Sequence, residues 1–336
     1  MGGTFFGMRT ILSWGWAGLG VGALGVAIVG GCGSDDDAGG DDDAGSGSGP
    51  TTVVADPTIV VTTNILGDVL EAIVAGSGAD IEVLMPLGAD PHEFSASTRQ
   101  AESMVDAELL VVNGADFEEG MEEIIDRAAD AGTTTFAFAD HVDLLPFTGP
   151  DAEEEAAEGH TDDPHIWTDP TRIAAALPAL GDALGEIEGI DAAAVDRNIT
   201  DYAAELADLD QEIETAVAGI PEDRRVLVTN HEVFGYFADR YDFEVVGTVI
   251  PSGTTLAEPS TGGLDDLATL IEEQGVPAIF GETTQSTRLA DALADSVGDV
   301  EVVELFTESL GEPGSGAETY VGLMRTDAEL IAGALS

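Results

Sequence analysis

Three histidines in this chain occupy positions from which an imidazole is often presented to a metal ion. Only five histidines occur among its 336 residues. His92 follows the apolar run IEVLMP (81–86), and His231 comes directly after RVLVTN (225–230). His165 lies in a loop that leads into a predicted helix. Neutral imidazole nitrogens presented in this way are typical ligands of a divalent transition metal.

A carboxylate completes a possible ligand set. Glu308 comes two residues after VEVVELF (300–306). In open α/β sheets, ligands bind at the carboxyl ends of the strands, so we expect the three histidines and Glu308 to face one cleft. Three imidazoles and one carboxylate suit a tetrahedral site for a divalent cation. Because the four residues are far apart in the sequence and match no local zinc-finger pattern, spacing alone also allows structural histidines.

Two of the histidines share the tripeptide Asp-Pro-His, in LGADPHEF (87–94) and TDDPHIWTDP (161–170). A proline fixes its own φ and disfavours helical geometry at the preceding residue, so each histidine is presented from a stiff, extended loop. We expect Asp90 and Asp163 to cap nearby backbone amides. Other neighbours could orient the imidazoles by accepting their second N–H, or could pack around the site and exclude water. These candidates are Glu93, Glu232 and Glu282 as acceptors, and Trp167 and Phe234 as packing residues.

The elements that must position these residues alternate between strands and helices. From residue 57 onward, short β-branched runs are separated by amphipathic segments of helical length. This alternation indicates parallel βαβ units and therefore an α/β fold with two Rossmann-like lobes. The eight predicted strands are TIVVTTN (58–64), IEVLMP (81–86), ELLVVN (108–113), TTTFAFA (133–139), RVLVTN (225–230), FEVVGTVI (243–250), PAIFGE (277–282) and VEVVELF (300–306).

A long helix separates the two sets of strands. Apolar residues recur every three or four positions between Ala194 and Val217, which predicts one helix over residues 191–219. At roughly 1.5 Å per residue this helix would be about 40 Å long, enough to run across both lobes as a rigid connection. The resulting domain prediction is an N-terminal lobe at 57–190 and a C-terminal lobe at 220–336, with the metal site in the cleft between them.

The N-terminal segment has the features of an export signal. Residues 10–31 carry no charge, follow Arg9, and end at Cys32, the single cysteine. This pattern predicts a signal peptide with a lipobox at 1–32, so that Cys32 would be lipidated. An uncleaved transmembrane anchor is the alternative, because about 20 apolar residues can span a bilayer. In either case, the rest of the chain is expected to be exported.

Composition excludes several classes of site and partner. The segment at 33–56 is rich in glycine, serine and aspartate, so we expect a flexible acidic tether rather than a packed structure. With one cysteine, the chain cannot form an internal disulfide or a cysteine-based metal site. Its 66 acidic and ten basic residues give a formal net charge of -56. Such a charge disfavours binding to nucleic acid or to anionic headgroups and is compatible with a metal cation.

Several long motifs occur in a fixed order from about residue 57 to the C-terminus. They are VLMPLGADPHEFSAS, DPHIWTDPTR, NHEVFGYFADRYDFEVVGTVIPSG followed by AEPS, AIFGET, and TESLGEPGSGAETYVGLMR. In these motifs the chain resembles the solute-binding proteins of zinc and manganese ABC importers, the metal-binding cluster of the periplasmic-binding-protein superfamily. The resemblance implies two α/β lobes joined by a rigid helix, with a metal ion buried between them.

The resemblance also implies particular ligands and partners. It identifies His92, His165 and His231 as the metal-binding histidines. It implies that the metal is delivered to a membrane permease and its ATPase by a protein that we expect to be a monomer. Many members of the family have aspartate where this chain has Glu308, so the fourth ligand is either Glu308 or a water.

The two remaining histidines are expected to have other roles. Zinc-specific members of the family often carry a histidine-rich loop, whereas the acidic loop at 149–163 contains only His160, which we expect to be an ordinary loop residue. His141, in FADHVDLLPF, is expected to be a turn or packing residue. Some zinc-binding members also have a disulfide in the second lobe, which a single cysteine forbids.

The ligand types favour Zn²⁺ over Mn²⁺ as the transported ligand. Manganese-binding members of the family commonly have glutamate at the position of His231, and manganese prefers a harder, oxygen-richer ligand set. A third imidazole at this position therefore predicts zinc, with manganese as the second possibility.

Two other functional classes remain as alternatives. HEVFG (231–235) begins like the H-E-x-x-H motif of zinc hydrolases, but Gly235 stands where the second histidine should be. Four protein ligands would also leave no open position for a catalytic water. A surface adhesin with a structural metal site would suit the tether but does not require the cleft histidines. We therefore predict a non-enzymatic, lipid-anchored protein of the extracytoplasmic membrane face that binds a divalent metal for an importer.

Overall fold

The N-terminal sheet brings the carboxyl ends of four parallel strands to one edge. The computed structural model describes residues 56–147 and 161–336. The strand order is β2-β1-β3-β4, and each neighbouring pair is parallel. The strands are β1 (Thr58–Val61), β2 (Asp80–Val83), β3 (Leu109–Val112) and β4 (Thr135–Ala137). The helices around them are α1 (Asn64–Val74), α2 (Thr98–Asp106) and α3 (Glu122–Ala131).

Two consecutive helices, α4 (Pro170–Gly185) and α5 (Ala192–Val217), lie between the two sets of strands. Each helix begins after an aspartate, Asp169 or Asp191. The side chain of this aspartate accepts a hydrogen bond from a backbone N–H in the first turn of the helix. This side-chain cap satisfies a donor that the helix itself leaves without a partner. α5 has 26 residues and packs against both α4 and α1. Its length is about 39 Å.

α4 continues through an internal proline, Pro178. A proline in a helix interior lacks the N–H for the i→i−4 bond, which weakens the helix. Tertiary packing compensates here, because Ile173, Leu177, Leu180 and Leu184 are all fully buried. These side chains recur at three- and four-residue intervals and form the apolar face of the helix.

The C-terminal sheet repeats the strand order of the first sheet. Its four parallel strands lie in the order β6-β5-β7-β8. They are β5 (Val226–Thr229), β6 (Glu244–Thr248), β7 (Ala278–Glu282) and β8 (Glu301–Leu305). The accompanying helices are α6 (Gly235–Tyr241), α7 (Thr261–Gln274), α8 (Arg288–Val297) and α9 (Tyr320–Leu335). α9 packs against β8 of its own lobe and against α5 and α1.

One hydrophobic cluster joins both lobes through α5. It contains Val61 of β1, Leu227 of β5, Leu206 and Leu209 of α5, and Ile331 of α9. Two smaller clusters cover the other faces of the sheets, one with α2 and α3 and one with α7 and α8. Because each sheet is covered on both faces, central strands such as β3 can be apolar along their whole length.

The predicted α/β fold with two parallel-sheet lobes is confirmed. Each of the eight predicted strands overlaps one observed strand, and the helix expected at 191–219 corresponds to α5. The exact lobe boundaries at 190 and 220 remain predictions. The signal peptide at 1–32 with Cys32, and the tether up to residue 55, lie outside the described residues. Within 56–147 and 161–336, every helix is too short or too polar to cross a membrane.

Candidate metal centre

His92, His165, His231 and Glu308 meet in one buried cluster between the lobes. Their ligand atoms all lie within 4.8 Å of one another. Glu308 Oε1 is 3.0 Å from His92 Nε2, 3.3 Å from His231 Nε2 and 3.9 Å from His165 Nε2. Each of the four residues is at most 1% exposed. The four side chains that the sequence assigned to one cleft are therefore adjacent in the structure.

Each cluster residue comes from the end of a strand or the start of a helix. His92 lies in the loop after β2, His231 follows the end of β5, and Glu308 follows the end of β8. His165 directly precedes a short 3-10 turn, Ile166–Thr168, that leads into α4. The parallel sheets thus deliver the cluster because their strands end at the same edge.

The loop that carries His165 is held from both lobes. The side-chain amide of Asn113, which follows β3, donates to the carbonyl of Pro164 at 2.8 Å. From the other lobe, the hydroxyl of Tyr236 donates to the carbonyl of Asp163 at 2.7 Å. These two bonds satisfy buried carbonyls and fix the path of the backbone on either side of the proline.

A carboxylate contacts the Nδ1 atom of every imidazole in the cluster. The three pairs are Glu119 Oε1 with His92 at 3.1 Å, Asp163 Oδ1 with His165 at 2.7 Å, and Glu282 Oε1 with His231 at 2.5 Å. A carboxylate on Nδ1 favours the tautomer that leaves the Nε2 lone pair available to a metal, and it fixes the ring orientation. The arrangement is the one that metal-binding histidines use in proteins.

Of the three glutamates predicted to accept an imidazole N–H, Glu282 is observed in contact with an imidazole. Glu282, the last residue of β7, contacts an imidazole as expected. Glu93 is exposed, and the carboxylate beside His92 is Glu119 instead. Glu232 is buried, and its backbone N–H donates to the carbonyl of Ser252 at 2.9 Å.

Sequence reasoning missed Glu119 altogether and gave Asp163 only part of its role. Asp163 caps the backbone N–H of His165 at 2.9 Å, as predicted, and the same oxygen also contacts the imidazole. Glu119 lies in the segment after β3, at the carboxyl edge of the first sheet. The strand-end rule points to this edge of the sheet, but it does not distinguish Glu119 from Asp116 and Glu118, which come earlier in the same segment.

Aromatic rings close the cluster on one side. The Trp167 ring lies 5.3 Å from the His165 ring and 4.7 Å from the Phe117 ring, measured between centroids. The indole N–H of Trp167 donates to the carbonyl of Thr307 at 2.8 Å, so the buried ring leaves no polar atom without a partner. Phe234, the other predicted packing residue, is also buried. This apolar wall keeps water away from the imidazoles.

Charge and burial compete over the protonation of two histidines. Burial lowers the pKa of His92, but the Glu308 charge and the hydrogen bonds to Glu119 and Glu308 outweigh it and raise the pKa to about 9. Burial likewise lowers the pKa of His231, yet Glu282 and Glu308 hold it well above the usual histidine value. Without a metal, these imidazoles therefore carry protons at neutral pH.

The pKa values of His165 and Glu308 are lowered instead. Burial lowers the pKa of His165 and outweighs the charge of Asp163, so this imidazole stays neutral. Burial raises the pKa of Glu308, but the neighbouring imidazolium groups, that of His231 first, outweigh it and lower the pKa. An ionised carboxylate therefore faces protonated imidazoles at the centre of the cluster.

Some distances in the cluster match the ligand spacing around a small tetrahedral ion, although the 3.9 Å between Glu308 Oε1 and His165 Nε2 is longer. Metal–ligand bonds of about 2.0–2.1 Å place neighbouring ligand atoms about 3.3–3.4 Å apart in a tetrahedron. The separation of the Nε2 atoms of His165 and His231 is 3.3 Å. Among the described residues, Glu308 Oε2 has no hydrogen-bond partner although it is buried, whereas Oε1 contacts His92 Nε2. Buried polar atoms are nearly always satisfied, and a bound cation would satisfy this oxygen.

A small cavity of about 20 Å³ reaches His92 from the side of Glu119. Asp116 and Asp162 also line it, so its wall is acidic and attracts cations. Phe147 lies across this cavity against Gly253, where a methyl group would fall 2.2 Å from the Phe147 ring.

Of the two histidines outside the cluster, only His141 lies among the described residues. His141 is exposed and stacks on Phe136 with a centroid separation of 4.5 Å, in agreement with a packing role. His160 and most of the acidic loop around it lie outside the described residues.

A profile of the family described as ZnuA, zinc-uptake complex component A periplasmic, matches residues 59–334. The manganese-binding lipoprotein MntA of Halalkalibacterium halodurans is 29% identical over 278 residues, which cover 83% of this chain and 88% of MntA. The zinc-binding protein TroA of Treponema pallidum is 28% identical over 295 residues, 86% of this chain and 92% of TroA.

Further similarity extends to a transporter component and to a solved structure. The iron ABC transporter substrate-binding lipoprotein MtsA of Streptococcus pyogenes serotype M1 is 26% identical over 300 residues, covering 86% of this chain and 92% of MtsA. The structure of the periplasmic zinc-binding protein TroA from Treponema pallidum superimposes with a TM-score of 0.75 at 28% identity. That match covers 84% of this chain and 99% of the TroA chain.

Proposed function

The chain belongs to the family of periplasmic zinc-uptake component A proteins, and from that premise we propose that it captures a divalent transition metal outside the cell membrane for an ABC importer. The observation that carries the proposal is the convergence of three Nε2 atoms on one buried carboxylate. His92, His165, His231 and Glu308 would be the four metal ligands.

The carboxylates on the Nδ1 atoms would prepare the imidazoles for binding. Glu119, Asp163 and Glu282 hold the rings in place and accept the N–H that each neutral imidazole keeps when its Nε2 atom binds the metal. Binding displaces the protons that His92 and His231 carry in the metal-free protein. The ion takes over the charge balance with Glu308 that those protons provide in its absence.

Zinc is the metal that this ligand set favours over manganese. Three imidazoles and one carboxylate are a nitrogen-rich set, whereas manganese prefers more oxygen ligands. Among the relatives described above, MntA is named for manganese, TroA for zinc and MtsA for iron, so family membership alone does not select the metal.

The partners and the location follow from the role in transport. The loaded protein would act as a monomer and deliver its metal to a membrane permease that is coupled to an ATPase. A lipid on Cys32 would hold it at the outer face of the membrane through the tether at 33–56.

Transport explains the molecule better than adhesion or hydrolysis. An adhesin would not need a buried four-residue cluster, and the relatives described above are metal-binding or ABC transporter proteins. A hydrolase would need an open metal position, whereas a closed set of four protein ligands leaves none. We therefore propose that the chain is a binding protein without enzymatic activity.

Metal analysis of variants tests this function. Protein purified without added metal and titrated calorimetrically should bind one zinc ion, more tightly than manganese. His165→Ala should lose this binding because it removes one ligand and leaves the other three misaligned. His141→Ala is the matched control, since this exposed histidine stacks on Phe136 away from the cluster. Wild-type protein that binds neither metal would refute the proposal, as would His165→Ala with unchanged affinity.

A further inference from the structure

The two Asp-Pro-His motifs use their aspartates differently. In the second motif, one oxygen of Asp163 contacts both the backbone N–H and the Nδ1 atom of His165. In the first motif, Asp90 Oδ1 accepts the backbone N–H of His92 at 2.9 Å. The imidazole of His92 has another carboxylate partner, Glu119. The second oxygen of Asp90 is thus available for a different task.

That second oxygen binds side chains from the opposite lobe. The hydroxyl of Thr255, in the loop after β6, donates to Asp90 Oδ2 at 2.6 Å. The side-chain amide of Gln285, which follows β7, donates to the same oxygen. Asp90 is 9% exposed and Thr255 is 7% exposed, so these bonds are largely shielded from water. Hydrogen bonds to a charged acceptor are stronger than neutral ones, and burial strengthens them further.

A reciprocal set of bonds holds the loop next to Glu308. The side chain of Asn64, in the first lobe, donates to Ser309 Oγ at 3.1 Å and accepts the backbone N–H of Leu310 at 2.8 Å. The backbone N–H of Gly88, two residues before Asp90, donates to the same serine hydroxyl at 2.8 Å. The loop of each lobe that carries a cluster residue is therefore tied to the other lobe.

We propose that Asp90 is a positioning residue that clamps the two lobes together and sets the place of His92 through the same carboxylate. This inference rests on the proposed function, because the clamp acts on a metal held between the lobes. Because Asp90 holds the His92 backbone with one oxygen and the second lobe with the other, separating the lobes also loosens the His92 loop. Metal release therefore requires the clamp to open.

The substitution that isolates the clamp is Thr255→Val. It removes one hydroxyl, keeps the side-chain shape, and leaves the four cluster residues and their Nδ1 carboxylates in place. We expect the dissociation rate of zinc, measured by stopped flow with a competing chelator, to rise about tenfold or more, since the lost bond has a charged acceptor. The association rate should change much less, because the substitution removes a bond between the lobes and leaves the four ligands in place.

Thr254→Val is the matched control. Thr254 is the preceding residue, and its hydroxyl accepts the backbone N–H of Leu256 at 3.2 Å within the same loop. This variant therefore reports the effect of loosening the loop without removing a bond between the lobes. Its zinc dissociation rate should stay close to that of the wild type. Equal dissociation rates for the two variants would overturn the proposal.

A measurement without metal separates the clamp from the proposed function. Hydrogen–deuterium exchange of the metal-free protein should be faster in Thr255→Val than in Thr254→Val, both around His92 and around the loop after β6. If the wild type binds no metal, the proposed function fails, whereas this exchange experiment still decides whether Asp90 links the lobes. Unchanged exchange at the His92 amide in Thr255→Val would refute the coupling.

Discussion

Each imidazole of the cluster pairs its Nδ1 atom with a different carboxylate, and the three carboxylates come from different parts of the fold. Glu119 follows β3, Asp163 lies two residues before its histidine, and Glu282 ends β7. The shared contact means that the orientation of the rings does not depend on the metal. A site prepared in this way loses little entropy when the ion binds.

Glu282→Gln should weaken zinc binding while the protein stays folded. The amide keeps the size of the side chain but removes the negative charge that makes His231 a better ligand, and such changes typically cost about 10- to 100-fold in affinity. Competition titration and thermal unfolding measure the two effects.

The control for this variant is Glu273→Gln, at an exposed position of α7. It removes the same charge from the molecule at a distance from the cluster. Equal zinc affinities for the two variants would contradict a role for Glu282 in holding the imidazole.

Zinc binding should release protons at neutral pH. The pKa of His92 is raised to about 9 in the metal-free protein, so this imidazole must lose a proton before its Nε2 atom can bind the ion. Affinity should therefore rise with pH through the neutral range, and the His92 part of this rise should end near pH 9, where that imidazole no longer carries a proton. Calorimetry in two buffers with different ionisation enthalpies measures the proton count. A binding enthalpy that is the same in both buffers would show that the histidines are already neutral.

The sequence carried enough information to select the ligands but not all of their neighbours. His92, His231 and Glu308 follow recognisable strands, so the strand-end rule applies to them directly. Glu93 was chosen because it adjoins His92 in the sequence, yet both residues lie in a turn in which the His92 side chain is buried and the Glu93 side chain is exposed. The contact of Glu119 with His92 depends instead on how the loops after β2 and β3 approach each other.

At the scale of the elements, the strands were predictable because β-branched and apolar runs mark them strongly. β3 and β7 are buried along their whole length, which is the pattern expected of parallel strands covered on both faces. Outside the predicted cluster, the hydrogen bonds between the lobes were not predictable. Gln285 donates a hydrogen bond to Asp90, which is 195 positions away in the sequence, and no local sequence pattern predicts such a contact.

α9 contains a buried carboxyl group, Asp327, that supports the loop leading to Glu308. Asp327 Oδ1 accepts the backbone N–H of Phe306 at 3.0 Å, directly after β8. Burial raises the pKa of Asp327 to about 7, well above the usual aspartate value of 3.8. The folded state therefore holds this proton more tightly than the unfolded state does. Its contribution to stability is present at low pH and is lost as the pH rises through about 7.

Asp327→Asn should remove this loss and stabilise the protein above neutral pH. The asparagine oxygen can still accept the Phe306 N–H, and no charge is buried. We expect the free energy of unfolding at pH 8 to rise by an amount on the order of a few kcal/mol, and the gain to shrink towards pH 5. Denaturant unfolding at several pH values measures this.

Glu329→Gln, on the exposed face of the same helix, is the control for the loss of one negative charge. If the two variants have the same pH dependence of stability, the buried carboxyl group does not ionise in the range expected.

At the scale of the whole molecule, the cluster joins two lobes that already share a core. Val61 and Leu227 belong to the same hydrophobic cluster as the long helix α5. A metal bound by the four cluster residues would add a further link between the lobes, where the strands end. A bound metal should therefore stabilise both lobes against unfolding together.

Zinc should raise the melting temperature in a single cooperative transition. A ligand that binds only the folded state stabilises it by mass action, by about 4 kcal/mol when its free concentration is a thousand times the dissociation constant. Removal of the metal with a chelator should reverse the shift. The measurement is differential scanning calorimetry of metal-free and zinc-loaded protein, with His165→Ala as the control. A zinc-induced shift that persists in this variant would place the stabilising ion elsewhere.

The equal division of the cluster has a consequence for how the ion could leave. His92 and His165 precede the long helix in the sequence, while His231 and Glu308 follow it. A movement that separated the lobes would therefore cut a four-atom chelate into two bidentate halves. Most of the chelate effect would disappear in that step, without protonation of any ligand. A permease that only separated the two lobes would thus lower the metal affinity of the protein at constant pH.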